Sequence, residues 1–553
     1  MIVLNLVQED FIALKFPYNQ EIIASIRKLD NRRWNPEEKQ WEVHIAHLPE
    51  LMKIFYLPPS DIPPEIMNLY QKKWISSPFQ ISAGNLFSTL KGKSYPLEKI
   101  DELTSYAIQG SEYNPRYIEG TWDGKKHLFN KRNHSFPTGL LPRIINYLKK
   151  EQINFKLADN RIKPEPSLQI APPSVKLRDY QELVIQKALK YNRGIIEMAT
   201  GSGKTLVAAH LIAKLKVPTL FFVHSKELLY QSMEVFQETL KSPIGQIGDG
   251  QVNIQPITVA TIQTVIRALG EKYQLFDEED QDDPTQVDIH KEAIIEAVES
   301  AQLVIFDECH HLPAESCYTV AMHTENAFYR FGLSATPYRS DRQDMLIESA
   351  LGPKIIKINA SSLIEQNYLV PPVIKYLNIC GCQSLNTKDY ACIYNSHIVH
   401  NPQRNQIIAE KCQEYAQKGL STLILVQQIK HGEELLKFLS EAKFLRGNDT
   451  SVTRNRILKE FKENKLKILI ATTLADEGLD IPILGCLILA GGGKSETRAL
   501  QRVGRALRPA PHKHEAVIID FLDNVPYLRE HSLKRIQIFN TEPHFKILQD
   551  SNQ

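Results

Sequence analysis

Three short strings hold residue types that can work on phosphate: ATGSGKT at 199–205, DECH at 307–310 and QRVGRALR at 501–508. In the first, glycines let the backbone curl so that its N–H groups converge on phosphate oxygens at a helix N-terminus. Thr200, Gly201, Ser202 and Gly203 form the cradle. Lys204 can reach the β- and γ-phosphates, and the Thr205 hydroxyl can ligate Mg²⁺. Met198 stands where the strict GxxxxGK[ST] pattern has its first glycine, but the tight approach is made from Gly201 to Lys204. In the second string, Asp307 can hold the Mg²⁺ and Glu308 can orient the attacking water. In the third, Gln501, Arg505 and Arg508 at i, i+4 and i+7 are expected on one helix face. Arginines offered across a cleft stabilise transition-state charge, so hydrolysis would require closure. Taken singly, the strings read as a glycine-rich turn, a surface acidic pair and a solvated basic helix; the last leaves Gly504 unexplained. In this order and at these separations they predict an ATP site.

The elements that must position these groups follow from the apolar pattern. From 175 onward, short apolar runs alternate with helical periodicity: 195–199, 218–223, 257–260, 303–307 and 331–336, then 421–426, 467–472, 486–490 and 516–520. Continuous apolar strands between helices predict parallel sheets covered on both faces. The two sets divide near 360–370, giving expected domains at 175–360 and 366–540 whose strand ends face one cleft. Ahead of them, residues 1–57 alternate apolar and polar, with a turn at Asn35-Pro36 between two Trp-bearing arms, and predict a small β-hairpin-plus-helix module. Pro58, Pro59, Pro63 and Pro64 suggest a linker. A second module is expected over 78–165, closed by the Pro-rich stretch 164–174.

At 553 residues the chain is too long for one core. With 42% hydrophobic and 24% charged residues it has an ordinary globular composition. The opening MIVLNLVQEDFIALKF has no basic start or small-residue cleavage site, so no secretory signal is expected. No apolar run reaches the ~18 residues of a membrane span, and a cytoplasmic location is expected, nucleoid-associated or in a phage host. The seven cysteines are scattered; Cys380 and Cys382, with Cys392 nearby, lack the partners of a zinc set and read as thiols in a reducing compartment. A net charge of +2 does not advertise nucleic acid, but basic residues dominate between Arg116 and Lys163. Lys125, Lys126, Lys131 and Arg132 flank an expected turn at Asp123-Gly124 and could contact phosphates or simply form a solvated rim. Trp34, Trp41 and Trp122 could stack on bases or fill small cores. The acidic run 277–284 reads as a solvated loop.

Together these strings resemble those of superfamily 2 helicases and translocases over roughly 176–525. The resemblance implies α/β architecture with two tandem RecA-like, doubly wound parallel-sheet domains preceded by small α+β N-terminal modules. LRDYQ (177–181) is similar to the adenine-recognising segment, with Arg178 and Gln181 in that role. VHSKELLYQ (223–231) and TIQT (261–264) are similar to strand-tracking motifs, which assigns Ser225, Thr261 and Gln263 to nucleic acid. SATP (334–337) resembles the motif coupling hydrolysis to movement. In ATTLADEGLDIP, Thr472 and Thr473 would meet the nucleic-acid backbone and Gly478 with Asp480 would lie near the nucleotide. The series looks most like the XPB, RadD and UvsW branch, although Arg339-Ser340-Asp341 departs from the Arg-Glu-Asp usual in XPB relatives. The second module resembles the UvsW N-terminal domain, and 1–57 more weakly the HARP domain of annealing helicases. The resemblance therefore implies ATP, Mg²⁺ and branched or forked DNA, with 3′-to-5′ polarity. An RNA-stimulated DECH-type ATPase, a restriction-system motor whose nuclease sits on a partner chain, and an inactive DNA clamp are the rival readings.

Overall fold

In the computed structural model, placement is described for residues 2–7, 10–27, 29, 31–71, 79–92, 95–270, 289–336, 344–379, 389–447, 449–472, 481, 483–493 and 496–549. The chain divides into two compact units, Met1–Lys163 and Pro164–Gln553.

The first unit opens with strands β1 (Val3–Val7), β2 (Phe11–Lys15), β3 (Arg32–Asn35) and β4 (Gln40–His44), paired antiparallel in the order β1-β2-β4-β3. The Asn35-Pro36 turn joins β3 and β4 as expected and sets Trp34 opposite Trp41, edge to face at 5.5 Å. The proline-rich stretch that follows is not a linker. Pro64 starts helix α1 (Pro64–Tyr70), and Ile62 and Ile66 are buried against Ile12, Val43, Leu48 and Leu51. Proline fixes φ and has no N–H to strand, which suits the first turn of a helix as well as a tether. The module therefore extends past 57, at least through Tyr70.

The second module pairs β5 (Phe79–Ala83), β6 (Phe87–Lys91), β9 (Ser135–Pro137) and β10 (Phe155–Asp159) in the order β10-β5-β6-β9. A separate two-stranded ribbon is made by β7 (Ser105–Ala107) and β8 (Lys125–His127).

In the second unit, lobe 1 holds β11 (Arg193–Met198), β12 (Thr219–Val223), β13 (Gly245–Gly248), β14 (Gln251–Asn253), β15 (Ile257–Thr261), β16 (Leu303–Asp307), β17 (Tyr329–Ser334) and β18 (Lys354–Ile358). Their order is β14-β13-β15-β12-β16-β17-β11-β18, parallel except for the β13–β14 edge. Lobe 2 is parallel throughout: β21 (Lys443–Leu445), β22 (Ile468–Thr472), β20 (Ser421–Val426), β23 (Leu484–Ile488), β24 (Ala516–Asp523), β19 (Pro372–Ile379) and β25 (Lys546–Gln549), in that spatial order. The β25 strand extends lobe 2 beyond the expected end at 540 to 549.

The Pro-rich stretch 164–174 marks the unit boundary but is strapped to lobe 1. Ser167 and Leu168 donate N–H bonds to the Lys216 carbonyl at 2.8 and 2.9 Å, and Ile170 is buried. Among the described residues, no helix is long and apolar enough to cross a membrane. The acidic run 277–284, Cys380, Cys382 and Arg339-Ser340-Asp341 lie outside the described residues.

Candidate nucleotide site between the lobes

After β11 the chain turns through Gly201 and Gly203, both at φ 82°, and enters helix α3 (Lys204–Leu215). Only glycine holds such angles without strain. A Cβ on Gly203 would sit 2.6 Å from Gln181 Nε2. The loop is braced from helix α2 (Asp179–Tyr191): the Tyr180 hydroxyl and the Gln181 amide both donate to the Ser202 carbonyl, at 2.8 and 2.9 Å. Ser202 is buried and its hydroxyl has no hydrogen-bond partner among the described residues. A buried orphan of this kind, inside a glycine loop at a helix N-terminus, fits a polyanionic ligand.

Glu308 is the hub of the site. It follows β16 in a left-handed conformation (φ 46°), a strained choice for a residue with a Cβ. Lys204 Nζ lies 2.8 Å from its Oε1. Its Oε2 accepts the Ser334 hydroxyl at 3.1 Å and the Gln501 amide at 3.3 Å, and lies 3.3 Å from His310 Nδ1. Gln501 belongs to lobe 2, so one carboxylate joins the lysine of one lobe to the glutamine of the other. Burial pushes Glu308 up, but the Lys204 ammonium and His310 outweigh it and hold the carboxyl well below its ordinary range. Neighbouring Asp307 is pushed up to about 6, by burial and then by the Glu308 charge. Two adjacent carboxylates with Lys204 as close countercharge supply oxygen donors of the kind a hard divalent cation takes. When bound, that cation would neutralise phosphate charge.

Helix α7 (Glu496–Ala506) carries Gln501 and Arg505, both half-buried. Arg508 departs from the expectation of a shared helix face, because the helix stops at Ala506. Pro509 disfavours helical backbone at Arg508, and Lys513 Nζ donates to the Ala506 and Arg508 carbonyls at 2.6 and 2.8 Å. Arg508 still reaches the cradle: its Cγ lies 3.4 Å from where a Gly201 Cβ would be. Gly504 finds its reason here, since a Cβ would come within 2.6 Å of Thr200.

The loop leading into α7 is held through four successive carbonyls. Arg404, on helix α6 (Pro402–Gln417), donates to Ala490, Tyr394 to Gly491, Gln427 to Gly492, and Arg535, on helix α8 (Leu528–Phe539), to Gly493. Both arginines are buried and paired with β24 carboxylates, Arg404 with Asp523 and Arg535 with Asp520, each at 2.8 Å. An ion pair between the lobes joins Arg454 to Glu227. Sequence reasoning missed these supporting residues. The signal for Arg404, Asp520 and Asp523 was a charge inside or beside an apolar run, where an unpaired charge is costly.

The residues assigned to nucleic acid have a mixed placement. Ser225 caps helix α4 (Lys226–Leu240), accepting the Leu228 N–H at 3.4 Å. Thr261 is buried, and its hydroxyl pairs with that of Thr264 at 2.8 Å. Gln263 donates to the His224 carbonyl at 2.6 Å. Thr472 is buried at the tip of β22, and its hydroxyl has no hydrogen-bond partner among the described residues. Thr473, Gly478 and Asp480 lie outside the described residues.

In the first unit, Lys125 and Lys126 on β8 and Arg132 are exposed. Lys131 pairs with Asp101 at 2.9 Å, and His127 lies 2.8 Å from Asp101 and 3.0 Å from Asp123. Trp122 Nε1 donates to the Lys125 carbonyl at 2.9 Å and pins the turn. Arg178, assigned to the base, is exposed, whereas Gln181 is buried.

A glycine loop and paired carboxylates on one parallel-sheet lobe, facing a glutamine–arginine helix on a second, define a two-lobed nucleotide-driven motor. Residues 174–339 match the family described as type III restriction enzyme, res subunit, and residues 404–510 match the helicase conserved C-terminal domain. The chain is a superfamily 2 helicase, an ATP hydrolase assembled from these two domains. It is 27% identical over 487 residues to helicase 22 of Sulfolobus islandicus filamentous virus, covering 81% of this chain and 80% of that protein. It is 28% identical to the DNA 3′-5′ translocase XPB2 of Sulfurisphaera tokodaii (63% and 82% covered). It is 22% identical to the ATP-dependent DNA helicase UvsW of Enterobacteria phage T4 (80% and 93%). In fold it resembles an HsdR fragment of a type I restriction enzyme from Vibrio vulnificus YJ016, at 21% identity and TM-score 0.50, with 68% of this chain and 69% of that one covered.

Proposed function

We propose that this chain is an ATP- and Mg²⁺-dependent DNA translocase or helicase that remodels branched or forked DNA in repair or recombination. The observation that carries the reading is the seam at Glu308, where Lys204 from lobe 1 and Gln501 from lobe 2 bond the same carboxylate. A nucleotide bound there would meet both lobes at once, so its hydrolysis would loosen their contact. With nucleotide bound, Lys204 would turn from Glu308 to the phosphates, Thr205 and Asp307 would hold the cation, and the released Glu308 would orient the attacking water. Arg505 and Arg508 face the developing charge, and Arg178 serves the base.

DNA as substrate is supported by the names of the XPB2 and UvsW relatives, and 3′-to-5′ movement by that of XPB2. Ser225, Gln263 and Thr472 shape the tracking surface, with Thr473 beside the last of them, and Gly478 and Asp480 serve the nucleotide side. Lys125, Lys126 and Arg132 supply sequence-independent phosphate contacts. Buried thiols at Cys309, Cys317, Cys412 and Cys486 suit a reducing cellular compartment.

The test is ATPase activity and strand remodelling with forked DNA, duplex DNA and duplex RNA. Forked DNA is expected to stimulate most, and Lys204→Ala to lower turnover at least roughly 10²–10³-fold while the fold is kept. Wild-type turnover by that variant overturns the motor reading. Stimulation by RNA alone, or DNA cleavage, would move the chain to one of its rival classes.

A further inference from the structure

The string DECH ends at His310, but the next residue is a histidine too, and neither the nucleotide chemistry nor the tracking residues make use of it. The fold gives the His311 ring two imidazole neighbours. Its centroid lies 4.2 Å from that of His310 and 4.2 Å from that of His224, each pair tilted by 36°. His310, His311 and His224 thus touch in a row.

The ends of the row reach different parts of lobe 1. At one end, His310 Nδ1 lies 3.3 Å from Glu308 Oε2 and 3.2 Å from the Ser334 hydroxyl. His310 and His311 share a single 3₁₀ turn (Cys309–His311) directly after the left-handed Glu308, and the His311 N–H donates to the Glu308 carbonyl at 3.0 Å. A backbone shift at Glu308 therefore moves both rings. At the other end, His224 follows β12. Its carbonyl accepts the amide of Gln263 on helix α5 (Ile262–Ala268) at 2.6 Å, and its successor Ser225 caps α4. Two residues before His224, Phe222 pairs with Phe306 of β16 and stacks on it at 4.7 Å. The two strands are held in register, which leaves the loops after them as the parts able to shift.

We propose that His311 is a positioning residue that couples the nucleotide site to the DNA-tracking surface, passing a shift of Glu308 through the touching imidazoles to His224, Ser225 and Gln263. This rests on the DNA reading given above. A phosphate that took Lys204 would remove the closest cation from Glu308 and change what holds that strained residue. Packed groups are nearly incompressible, so a displaced His310–His311 turn must carry His224 along or break the row. By linkage, nucleotide then changes DNA affinity, and DNA changes nucleotide affinity, by the same factor.

The experiment uses the full chain. Affinity for fluorescent forked DNA is measured with and without a non-hydrolysable ATP analogue, and ATPase activity with and without that DNA. His311→Ala is expected to bring the nucleotide-dependent ratio of DNA affinities from the roughly 5–150-fold usual for coupled sites to nearly one, with basal ATPase activity within about twofold of wild type. Most of the DNA stimulation should be lost with it. His311→Phe keeps a flat ring and is expected to restore the ratio. His311→Leu keeps bulk without the ring, should behave as His311→Ala, and carries the test if that variant fails to fold. Combining His311→Ala with His224→Ala should lose no more coupling than the larger single loss, since both are links of one row.

A wild-type ratio in His311→Ala and His311→Leu, additive losses in the double variant, or equal behaviour of His311→Phe and His311→Leu overturns the proposal. An equal fall in basal and stimulated rates makes His311 a packing residue and overturns it as well. If DNA leaves both the turnover and the nucleotide affinity of the wild-type chain unchanged, the tracking reading itself fails and takes the relay with it.

Discussion

In lobe 1 the charges of the nucleotide site lie in the cleft, where Lys204 and Glu308 satisfy each other at 2.8 Å. Lobe 2 keeps a comparable set in its core, where Arg404 meets Asp523 and Arg535 meets Asp520 behind the loop that leads to its arginines. The first arrangement can exchange partners, because a phosphate can take the lysine and leave the carboxylate for water or metal. The second cannot exchange without unfolding, since each guanidinium also holds a backbone carbonyl of the loop. A motor needs both kinds of wiring: one lobe whose bonds are rewritten by the ligand, and one that presents its arginines from a fixed frame.

The comparison breaks most visibly at the tips. Arg505→Ala and Arg508→Ala remove groups offered by the rigid lobe and are expected to lower kcat by roughly 10²–10³-fold, with nucleotide affinity little altered. Single-turnover hydrolysis under saturating ATP measures this. Equal losses in affinity and rate would make these arginines ordinary binding groups and erase the division of labour.

Next in size is the frame itself. Arg404→Met leaves Asp523 buried without its partner and is expected to cost about 3–5 kcal/mol of stability, read as a lower Tm and denaturation midpoint. Replacing both Arg404 and Asp523 with apolar residues of similar volume should recover much of that loss. If the single substitution is neutral, lobe 2 is not framed by this pair.

The smallest effect belongs to the exchangeable lobe. Asp307 is held near pKa 6 in the folded chain, against 3.8 ordinarily. A carboxyl whose folded value is raised favours the fold while it is protonated, and this contribution is lost as pH rises through about 6. Asp307→Asn cannot ionise, so without nucleotide it should be more stable than wild type at pH 7–8, on the order of 1–3 kcal/mol, and match it below about pH 4. Thermal melts across pH 4–8 give the answer. Equal stability at every pH would mean that Asp307 is not strained in the empty site.

Much of lobe 1 was legible because its strands are buried on both faces and read as unbroken apolar runs. Its cradle was legible because backbone N–H groups can converge on phosphate only with glycine at the turns. Local patterns failed where a tertiary partner overruled them. Pro58 to Pro64 read as a tether, yet Ile62 and Ile66 bury their side chains and make the stretch part of the first core. Gln501, Arg505 and Arg508 read as one helix face, yet Pro509 and Lys513 end the helix before Arg508. Strand β25 carried no clear periodic signal, because an edge strand is recognised by the neighbour it pairs with, here β19.

The amino-acid sequence alone determined the chemistry on offer: a lysine and hydroxyl after a glycine turn, two adjacent carboxylates at a strand tip, and a glutamine with two arginines some two hundred residues further on. These are properties of short segments, set by residue type and spacing. The tertiary structure decided that Lys204 and Gln501 meet on one carboxylate and that Gly504 admits Thr200. Each of those is a contact between segments far apart in the chain, and it exists only because the folded chain brings the loops and helices of two sheet-based lobes to one seam.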